Sequence, residues 1–124
     1  MNVESLNSSE SYLPLKVYVC SECFLVQTAD YTHRETFFNE DYAYFSSTSQ
    51  SWLKHAKDYT DKVVRDFSID KEKFVLEVAS NDGYLLKNFV ERGIPCIGIE
   101  PTKSTAEASK LLGINTIIDF YGEN

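Results

Sequence analysis

The residues best suited to chemistry lie in two short loops, each of which follows an apolar run. Residues 77–83 read Glu-Val-Ala-Ser-Asn-Asp-Gly, between one such run and a segment of helical composition. In doubly wound α/β sheets, ligands bind outside the carboxyl ends of the strands, where the backbone comes close to them. Small residues at 79 and 80, a permissive Gly83, and Asn81, whose residue type visits the left-handed region, suit such a loop.

Glu100 ends the next apolar run, 23 residues after Glu77. A carboxylate at this place can accept hydrogen bonds from both ribose hydroxyls of an adenosine moiety. The chain has neither a GxGxxG dinucleotide fingerprint nor a Gly-Lys-Ser/Thr phosphate loop. On pattern alone, an ordinary β-α turn with a surface acid at position 100 is an equal alternative.

The elements that would position these residues alternate between strand and helix. Short apolar runs predict strands over 74–79, 95–100 and 114–119, and helical patterns over 84–92 and 104–112 connect them. The first strand is nearly continuous in apolar residues, which is typical of a strand buried on both faces. The order β-α-β-α-β predicts an α/β fold, the first half of a Rossmann-like doubly wound sheet.

A hairpin and a long helix are predicted upstream. Two β-prone runs, 15–19 and 24–28, flank the turn Cys20-Ser-Glu-Cys23. Residues 29–46 show no clear period. A Ser-x-x-Gln capping box with Ser47 as N-cap opens a helix that ends near residue 67. Its apolar face is predicted from side chains spaced three or four residues apart, which are Trp52, Ala56, Tyr59, Val63 and Phe67.

These patterns divide the chain into three parts. Residues 1–46 hold the hairpin and the irregular segment, 47–70 the long helix and a linker, and 71–124 the partial α/β sheet. With 124 residues, 43% of them hydrophobic, the chain is long enough for one domain or slightly more and is not a disordered tail.

Charge and cysteine content exclude several partner classes. The chain has 12 basic and 19 acidic side chains and a formal charge of −7, so neither nucleic acid nor an anionic membrane surface is an expected partner. No apolar run is long enough to span a bilayer, and the N-terminus lacks the features of a signal peptide. Three cysteines cannot form a complete disulfide framework, which favours a cytoplasmic location.

Residues 75–86, together with Gly98-Ile-Glu-Pro101, resemble the first half of a class I S-adenosylmethionine-dependent methyltransferase. More narrowly, the chain resembles the sugar C-methyltransferase-like family with an N-terminal zinc-binding module, whose glycine-loop variant is E-x-(A/G)-S-N-D-G. Upstream segments resemble the same family in the right order, from about residue 13. They are Leu13-Pro-Leu15, the cysteine pair with Leu25-Val-Gln27, the run Tyr-Ala-Tyr-Phe-Ser-Ser over 42–47, and Ser51-Trp-Leu53.

The resemblance implies roles for individual residues. The S-adenosylmethionine pocket would be lined by Glu77, Ala79, Ser80, Asn81 and Gly83. Glu100 would hold the ribose, and Asp119 would approach the adenine. Tyr42 and Tyr44 would lie on the substrate side, where a hydroxyl can contact a sugar or assist proton transfer. Core aromatics are an equal alternative for these two tyrosines.

The chain departs from the family in two places. A structural zinc site needs four ligands, whereas Cys20 and Cys23 supply two and His33 is the one further candidate. Two reduced thiols in a turn are therefore favoured over a filled zinc site. In addition, the sequence stops after the third strand, so we expect an N-terminal piece of the family's enzyme.

The leading hypothesis is part of a methyltransferase that methylates carbon of a nucleotide-linked sugar or related small molecule. The family mechanism would be proton abstraction beside a carbonyl, followed by attack of the carbanion on the methyl group. The alternatives are a non-catalytic module that dimerises or binds a polypeptide supplying further strands, and an inert product that folds poorly.

Overall fold

A computed structural model describes residues 9, 12–39, 42 and 44–122. The chain divides into two compact units, Met1–Thr36 and Phe37–Asn124. The three-part division expected from the sequence stays a prediction. Both ends of the chain, and Ala43 within the expected substrate-side segment, lie outside the described residues.

The first unit contains the predicted β-hairpin. Strands β1 (Val17–Val19) and β2 (Val26–Thr28) pair antiparallel, with Tyr18 opposite Gln27. The cysteine turn joins them, and the Cys20 N–H donates to the Leu25 carbonyl at 2.9 Å. All six strand residues are exposed, so the hairpin is held by its ladder and not by a core. Helix α1 (Arg34–Phe37) is a single turn that follows.

The second unit confirms the predicted α/β class and element order. A 3₁₀ turn (Ser46–Thr48) leads into helix α2 (Gln50–Asp66). The alternating elements are then β3 (Val75–Val78), α3 (Lys87–Val90), β4 (Cys96–Ile99), α4 (Lys103–Leu111) and β5 (Asn115–Ile117). The sheet order is β3-β4-β5 and both pairings are parallel. This is the β-α-β-α-β half of a Rossmann-like sheet.

The predicted N-cap of the long helix is wrong by two residues. Ser49 is the N-cap, and its Oγ accepts a hydrogen bond from the Trp52 N–H at 3.3 Å. Ser47 belongs instead to the 3₁₀ turn, and its own N–H donates to Asp82 Oδ2 at 3.0 Å. The 3₁₀ turn and the extended Ser49, with φ −99° and ψ 116°, therefore precede the first residue of the α-helix.

The buried face of α2 is also shifted from the predicted one. Ala56 is buried as expected, but Tyr59 is 50% exposed and Phe67 is 73% exposed. Thr60 is fully buried in place of Tyr59, and its hydroxyl donates to the Ala56 carbonyl at 2.9 Å. This bond satisfies the hydroxyl within the helix, so a threonine can lie in the interface at little cost.

The core lies between the helices and one face of the sheet. Leu86, Phe89, Ile94 and Ile114 form its buried centre, and partly buried side chains pack around them. Two of those are the strand residues Val75 and Cys96. Right-handed crossovers between parallel neighbours place both connecting helices on the same side of a sheet. One face is therefore covered.

The other face of the sheet is open in the part of the chain that the structure describes. Side chains alternate along a strand, so Leu76, Val78 and Ile117 point away from the core. They are 50%, 47% and 48% exposed. The prediction that the first strand is buried on both faces is therefore wrong at Leu76 and Val78, because no described element covers the second face. Among the described residues, no helix is both long and apolar enough to cross a bilayer.

Candidate functional site

A cavity of about 410 Å³ opens at the carboxyl ends of the strands in the second unit. One part of its wall comes from the strand ends and the loops after them: Val78, Ala79, Asn81, Ile99, Glu100, Pro101 and Asp119. The other part is aromatic except for one serine: Phe38, Tyr42, Tyr44, Ser46, Tyr84, Phe120 and Tyr121. This is the edge at which open α/β sheets bind ligands.

The loop after β3 adopts the left-handed conformation at every second residue. The φ angles are +59° at Ala79, +49° at Asn81 and +80° at Gly83. Asn81 and Gly83 were predicted to tolerate this region, whereas Ala79 was predicted only as a small residue. Ala79 lacks the compensation that glycine or asparagine has, so its conformation carries backbone strain. The loop is thus shaped to bring main-chain groups to the cavity.

Two glycines allow this loop to pack tightly on its supports. A Cβ on Gly98, in the middle of β4, would lie 2.4 Å from Ser80 Oγ and 2.9 Å from Ser80 Cβ. A Cβ on Gly83 would lie 2.4 Å from Ile114 Cδ1. Gly83 was a predicted site residue and Gly98 was not, because the need for glycine at 98 depends on Ser80, which is 18 residues away in the chain.

Glu100 fixes the loop from the β4 side. It is 4% exposed, and its Oε2 accepts from the Asn81 N–H at 2.9 Å while Oε1 accepts from the Thr102 N–H, also at 2.9 Å. A carboxylate has about four acceptor positions, so two remain for a ligand that enters the cavity. The predicted ribose contact therefore has acceptor capacity available, in addition to a structural task that the sequence did not indicate.

Asn81 and Asp82 hold the segment before α2. Asn81 Oδ1 accepts from the Ser46 N–H at 2.9 Å, and its Nδ2 donates to the Tyr44 carbonyl at 3.1 Å. Asp82 Oδ2 accepts from the Ser47 N–H at 3.0 Å. Hydrogen bonds thereby connect the loop after β3 directly to the segment that carries Tyr44, on the aromatic wall of the cavity.

Glu77 lies behind the loop and does not line the cavity. Burial raises its pKa to about 8, and the nearby carboxylates of Asp82 and Glu100 contribute to the increase. Its Oε2 and the Oδ1 atom of Asp82 are buried without a hydrogen-bond partner among the described residues. Two unpaired acidic oxygens at one loop give this end of the site a need for protons or positive charge.

The aromatic wall is formed by side chains from distant parts of the second unit. The ring of Phe38 lies 5.5 Å from that of Tyr42 and 6.0 Å from that of Phe120, measured between centroids. Asp119 lies beside Phe120, whose N–H donates to Asp119 Oδ1 at 2.7 Å. Tyr42 and Tyr44 line the cavity and are not core residues, with Tyr44 59% exposed.

Six of the nine predicted cofactor and substrate residues line one cavity, namely Tyr42, Tyr44, Ala79, Asn81, Glu100 and Asp119. Glu77, Ser80 and Gly83 lie behind it as supports, and their assigned ligand contacts stay predictions. Phe38, Tyr84, Phe120 and Tyr121 were missed. Phe120 and Tyr121 directly follow Asp119, which was a usable signal, whereas nothing local marks Phe38.

The cysteine turn belongs to the first unit. Backbone N–H groups of Cys23 and Glu22 lower the pKa of Cys20. Cys20, Cys23 and Cys96 are all free thiols. Within residues 9, 12–39, 42 and 44–122, no group of three or more His, Cys, Asp or Glu side chains could hold a metal ion. The two cysteine side chains of the turn supply only half of the four ligands that a structural zinc site needs, so they do not fit such a site.

Comparisons with known proteins add little to this geometry. No protein-family model and no curated protein matches the chain. Solved structures do match, among them the X-ray structure of YjhP from E. coli, with 15% identity and a TM-score of 0.42. The match covers 66% of this chain and 34% of that one, so the chain spans about a third of YjhP's length. At this distance the likeness carries no argument about function.

Proposed function

We propose that the second unit binds S-adenosylmethionine in the strand-end cavity and forms part of a methyltransferase. The observation that carries this proposal is the charge of the cavity. Its ionisable carboxylates are Glu100 and Asp119, and no Lys, Arg or His is among its described lining residues. A ligand that combines an adenosine moiety with positive charge suits such a cavity.

The acidic loop behind the cavity supports the same ligand class. Glu77 and Asp82 each have one buried oxygen without a described partner. Positive charge bound nearby would favour the ionised form of both side chains, because opposite charges in a poorly hydrated site interact strongly. A dinucleotide such as NAD would instead bring pyrophosphate charge to this edge, where no basic side chain is described.

The residues present fit the cofactor. Glu100 would accept from the ribose hydroxyls through its two remaining acceptor positions, Asp119 would lie at the adenine, and Ala79 and Asn81 would bring the loop backbone close. S-Adenosylmethionine supplies, when bound, an electrophilic methyl group. The chain's own contribution on this side is to bind and orient the ligand in a cavity with acidic and apolar walls.

The acceptor side is assigned to the aromatic wall. Tyr42 and Tyr44 contribute phenolic hydroxyls, which can donate to and accept from a sugar or move a proton from the reacting carbon. The acceptor class, carbon of a nucleotide-linked sugar or related small molecule, is supported by the family resemblance of residues 42–47 and 77–83. The activity of any longer protein that contains this chain is part of the proposal.

The test is a thermal-shift titration with S-adenosylhomocysteine, the demethylated product of the cofactor, with ATP and NAD in parallel. A ligand at about 100 times its dissociation constant stabilises the folded state by about 2.7 kcal/mol, which is a visible shift. We expect this shift with S-adenosylhomocysteine and not with ATP or NAD. Equal shifts with all three ligands would contradict specific cofactor binding by this chain. So would the absence of a shift with S-adenosylhomocysteine when the chain unfolds in a single cooperative transition.

Two acid variants separate ligand binding from general effects of charge. Glu100→Ala removes the ribose acceptor along with two loop hydrogen bonds, so the shift should be lost. Glu107→Gln removes an exposed acid on α4, outside the cavity, and should keep the full shift. Association with a second polypeptide, the alternative raised by the sequence, stays a prediction.

A further inference from the structure

The side chain of Asn81 makes a two-point contact with the backbone on both sides of Phe45. Oδ1 accepts from the Ser46 N–H at 2.9 Å and Nδ2 donates to the Tyr44 carbonyl at 3.1 Å. Phe45 is extended, with φ −110° and ψ 119°. The amide thus pairs with the extended backbone in the way that a neighbouring strand would. Residues 44–46 are fixed at both polar groups that flank Phe45.

The next residue continues the contact. Asp82 is 3% exposed, and its Oδ2 accepts from the Ser47 N–H at 3.0 Å. A hydrogen bond to an ionised acceptor is stronger than one between neutral groups. Together the side chains of Asn81 and Asp82, termed the clamp below, hold the backbone at three positions, Tyr44, Ser46 and Ser47.

The clamp is itself anchored to the strand end. The Asn81 N–H donates to Glu100 Oε2 at 2.9 Å, and Glu100 also accepts from the Thr102 N–H. One short chain of hydrogen bonds therefore runs from the loop after β4, through Glu100 and Asn81, to the backbone beside Tyr44. Each of the three side chains, Asn81, Asp82 and Glu100, is at least nine-tenths buried, so water competes little for these bonds.

From this connection we infer that Asn81 and Asp82 are positioning residues. They couple the loop of residues 79–83 to the aromatic wall of the cavity, so that a ligand bound to one also orders the other. Order imposed on the loop by a ligand is transmitted through the clamp to Tyr44, on the opposite wall. The inference deepens the proposed function, on which it rests for the identity of the ligand. The clamp itself does not depend on that identity.

The residue type at position 81 is the one that this task requires. Position 81 has a φ of +49°, which favours glycine or asparagine. Glycine would satisfy the backbone but would leave the Tyr44 carbonyl and the Ser46 N–H without their partner. Asparagine provides the backbone conformation, a donor and an acceptor together.

The experiment measures amide hydrogen exchange at Ser46 and Ser47 by NMR in the full chain, without ligand and with S-adenosylhomocysteine. In Asn81→Gly, we expect exchange at Ser46 to rise about tenfold or more, since its acceptor is lost. In Asp82→Ala the same rise should occur at Ser47. Asp82→Asn keeps an acceptor oxygen and should restore the protection of Ser47.

Ala79→Gly is the matched control, because it gives the same loop a glycine at another left-handed position without touching the clamp. It should leave exchange at Ser46 and Ser47 within about twofold of the wild type. In the wild type, S-adenosylhomocysteine should slow exchange at both amides. In Asn81→Gly it should no longer do so at Ser46.

The outcomes separate the two proposals. If the exchange pattern follows the variants but calorimetry detects no S-adenosylhomocysteine binding, the clamp is supported and the proposed function is contradicted. If the ligand binds but leaves exchange at Ser46 and Ser47 unchanged, the inference is overturned and the proposed function stands. Equal protection in wild type, Asn81→Gly and Asp82→Ala would also overturn it, because the clamp would then hold nothing.

Discussion

The two faces of the three-stranded sheet are built from the same strands but differ in how much they constrain the sequence. On the helix-covered face, Val75 and Cys96 pack against the buried core, and Gly98 leaves no space for even a methyl group. On the open face, Leu76, Val78 and Ile117 remain about half exposed. Neighbouring residues in one strand therefore have very different tolerance for substitution.

The close packing on the covered face explains why the backbone of the loop after β3 is held in one position. The loop that leads to the cavity rests on the covered face, through the close approach of Ser80 to Gly98 and of Gly83 to Ile114. Positions of main-chain groups in the loop are thus determined by packing, as a binding site needs. The open face contributes Val78 and Ile99, at the ends of β3 and β4, to the cavity wall.

The largest expected effect comes from a pair of identical substitutions, one in the core beside the covered face and one on the open face. Leu86 is fully buried and Leu76 is 50% exposed. Leu86→Ala should lower the free energy of unfolding by about 2–5 kcal/mol, because it leaves a cavity in the core. Leu76→Ala should cost about half as much or less, since half of its apolar surface already contacts water.

Urea denaturation of both variants measures this difference at equilibrium. Equal costs for the two leucines would mean that the open face is covered in solution, and the contrast between the faces would then be wrong.

A second effect tests how closely the loop rests on β4. Gly98→Ala places a Cβ 2.4 Å from Ser80 Oγ and should destabilise the fold by about 1–3 kcal/mol through overpacking. Ser80→Gly removes both clashing atoms, so the double variant should recover part of that loss. A thermodynamic cycle over the four proteins measures the coupling. Purely additive costs would show that the clash is relieved by movement elsewhere.

The sequence predicted the elements better than their surroundings. Short apolar runs and turn residues identified the order of strands and helices because these signals are local. The N-cap at Ser49 was missed because serines stand at both 47 and 49, and the capping pattern does not show that residues 46–48 form a 3₁₀ turn. The open face was missed because an apolar run does not show what covers it. Among the site residues, Asn81 was found through its tolerance of positive φ, whereas the clamp and Phe38 depend on contacts between distant segments.

A smaller effect concerns Glu77, a carboxyl group on the covered face. Burial and the charges of Asp82 and Glu100 raise the pKa of Glu77 to about 8. Because the folded state holds this proton more tightly than the unfolded chain, its contribution is fully present below about pH 4.5 and is lost as the pH rises through about 8.

The melting temperature of the wild type should therefore fall between pH 5 and pH 8.5 by more than that of Glu77→Gln. After allowance for screening, the difference corresponds to about 1–2 kcal/mol. Glu107→Gln, at an exposed position, should follow the wild type. Parallel curves for the wild type and Glu77→Gln would show that Glu77 is ionised at neutral pH in the folded chain.

The smallest effect is expected at Ile117, which we compare with its β5 neighbour Thr116 on the opposite face of the sheet. Thr116 is 5% exposed and its hydroxyl shares a hydrogen bond of 2.9 Å with Ser109 Oγ, whereas Ile117 is 48% exposed on the open face. Ile117→Thr should cost less than about 1 kcal/mol, because a half-exposed side chain loses little buried apolar area. Thr116→Val keeps the shape but removes the partner of a buried hydroxyl, so it should cost about 1–3 kcal/mol although it makes the strand more apolar. Urea denaturation ranks the two, and the reverse order would mean that hydrophobicity, and not the face on which a residue lies, determines the stability of this strand.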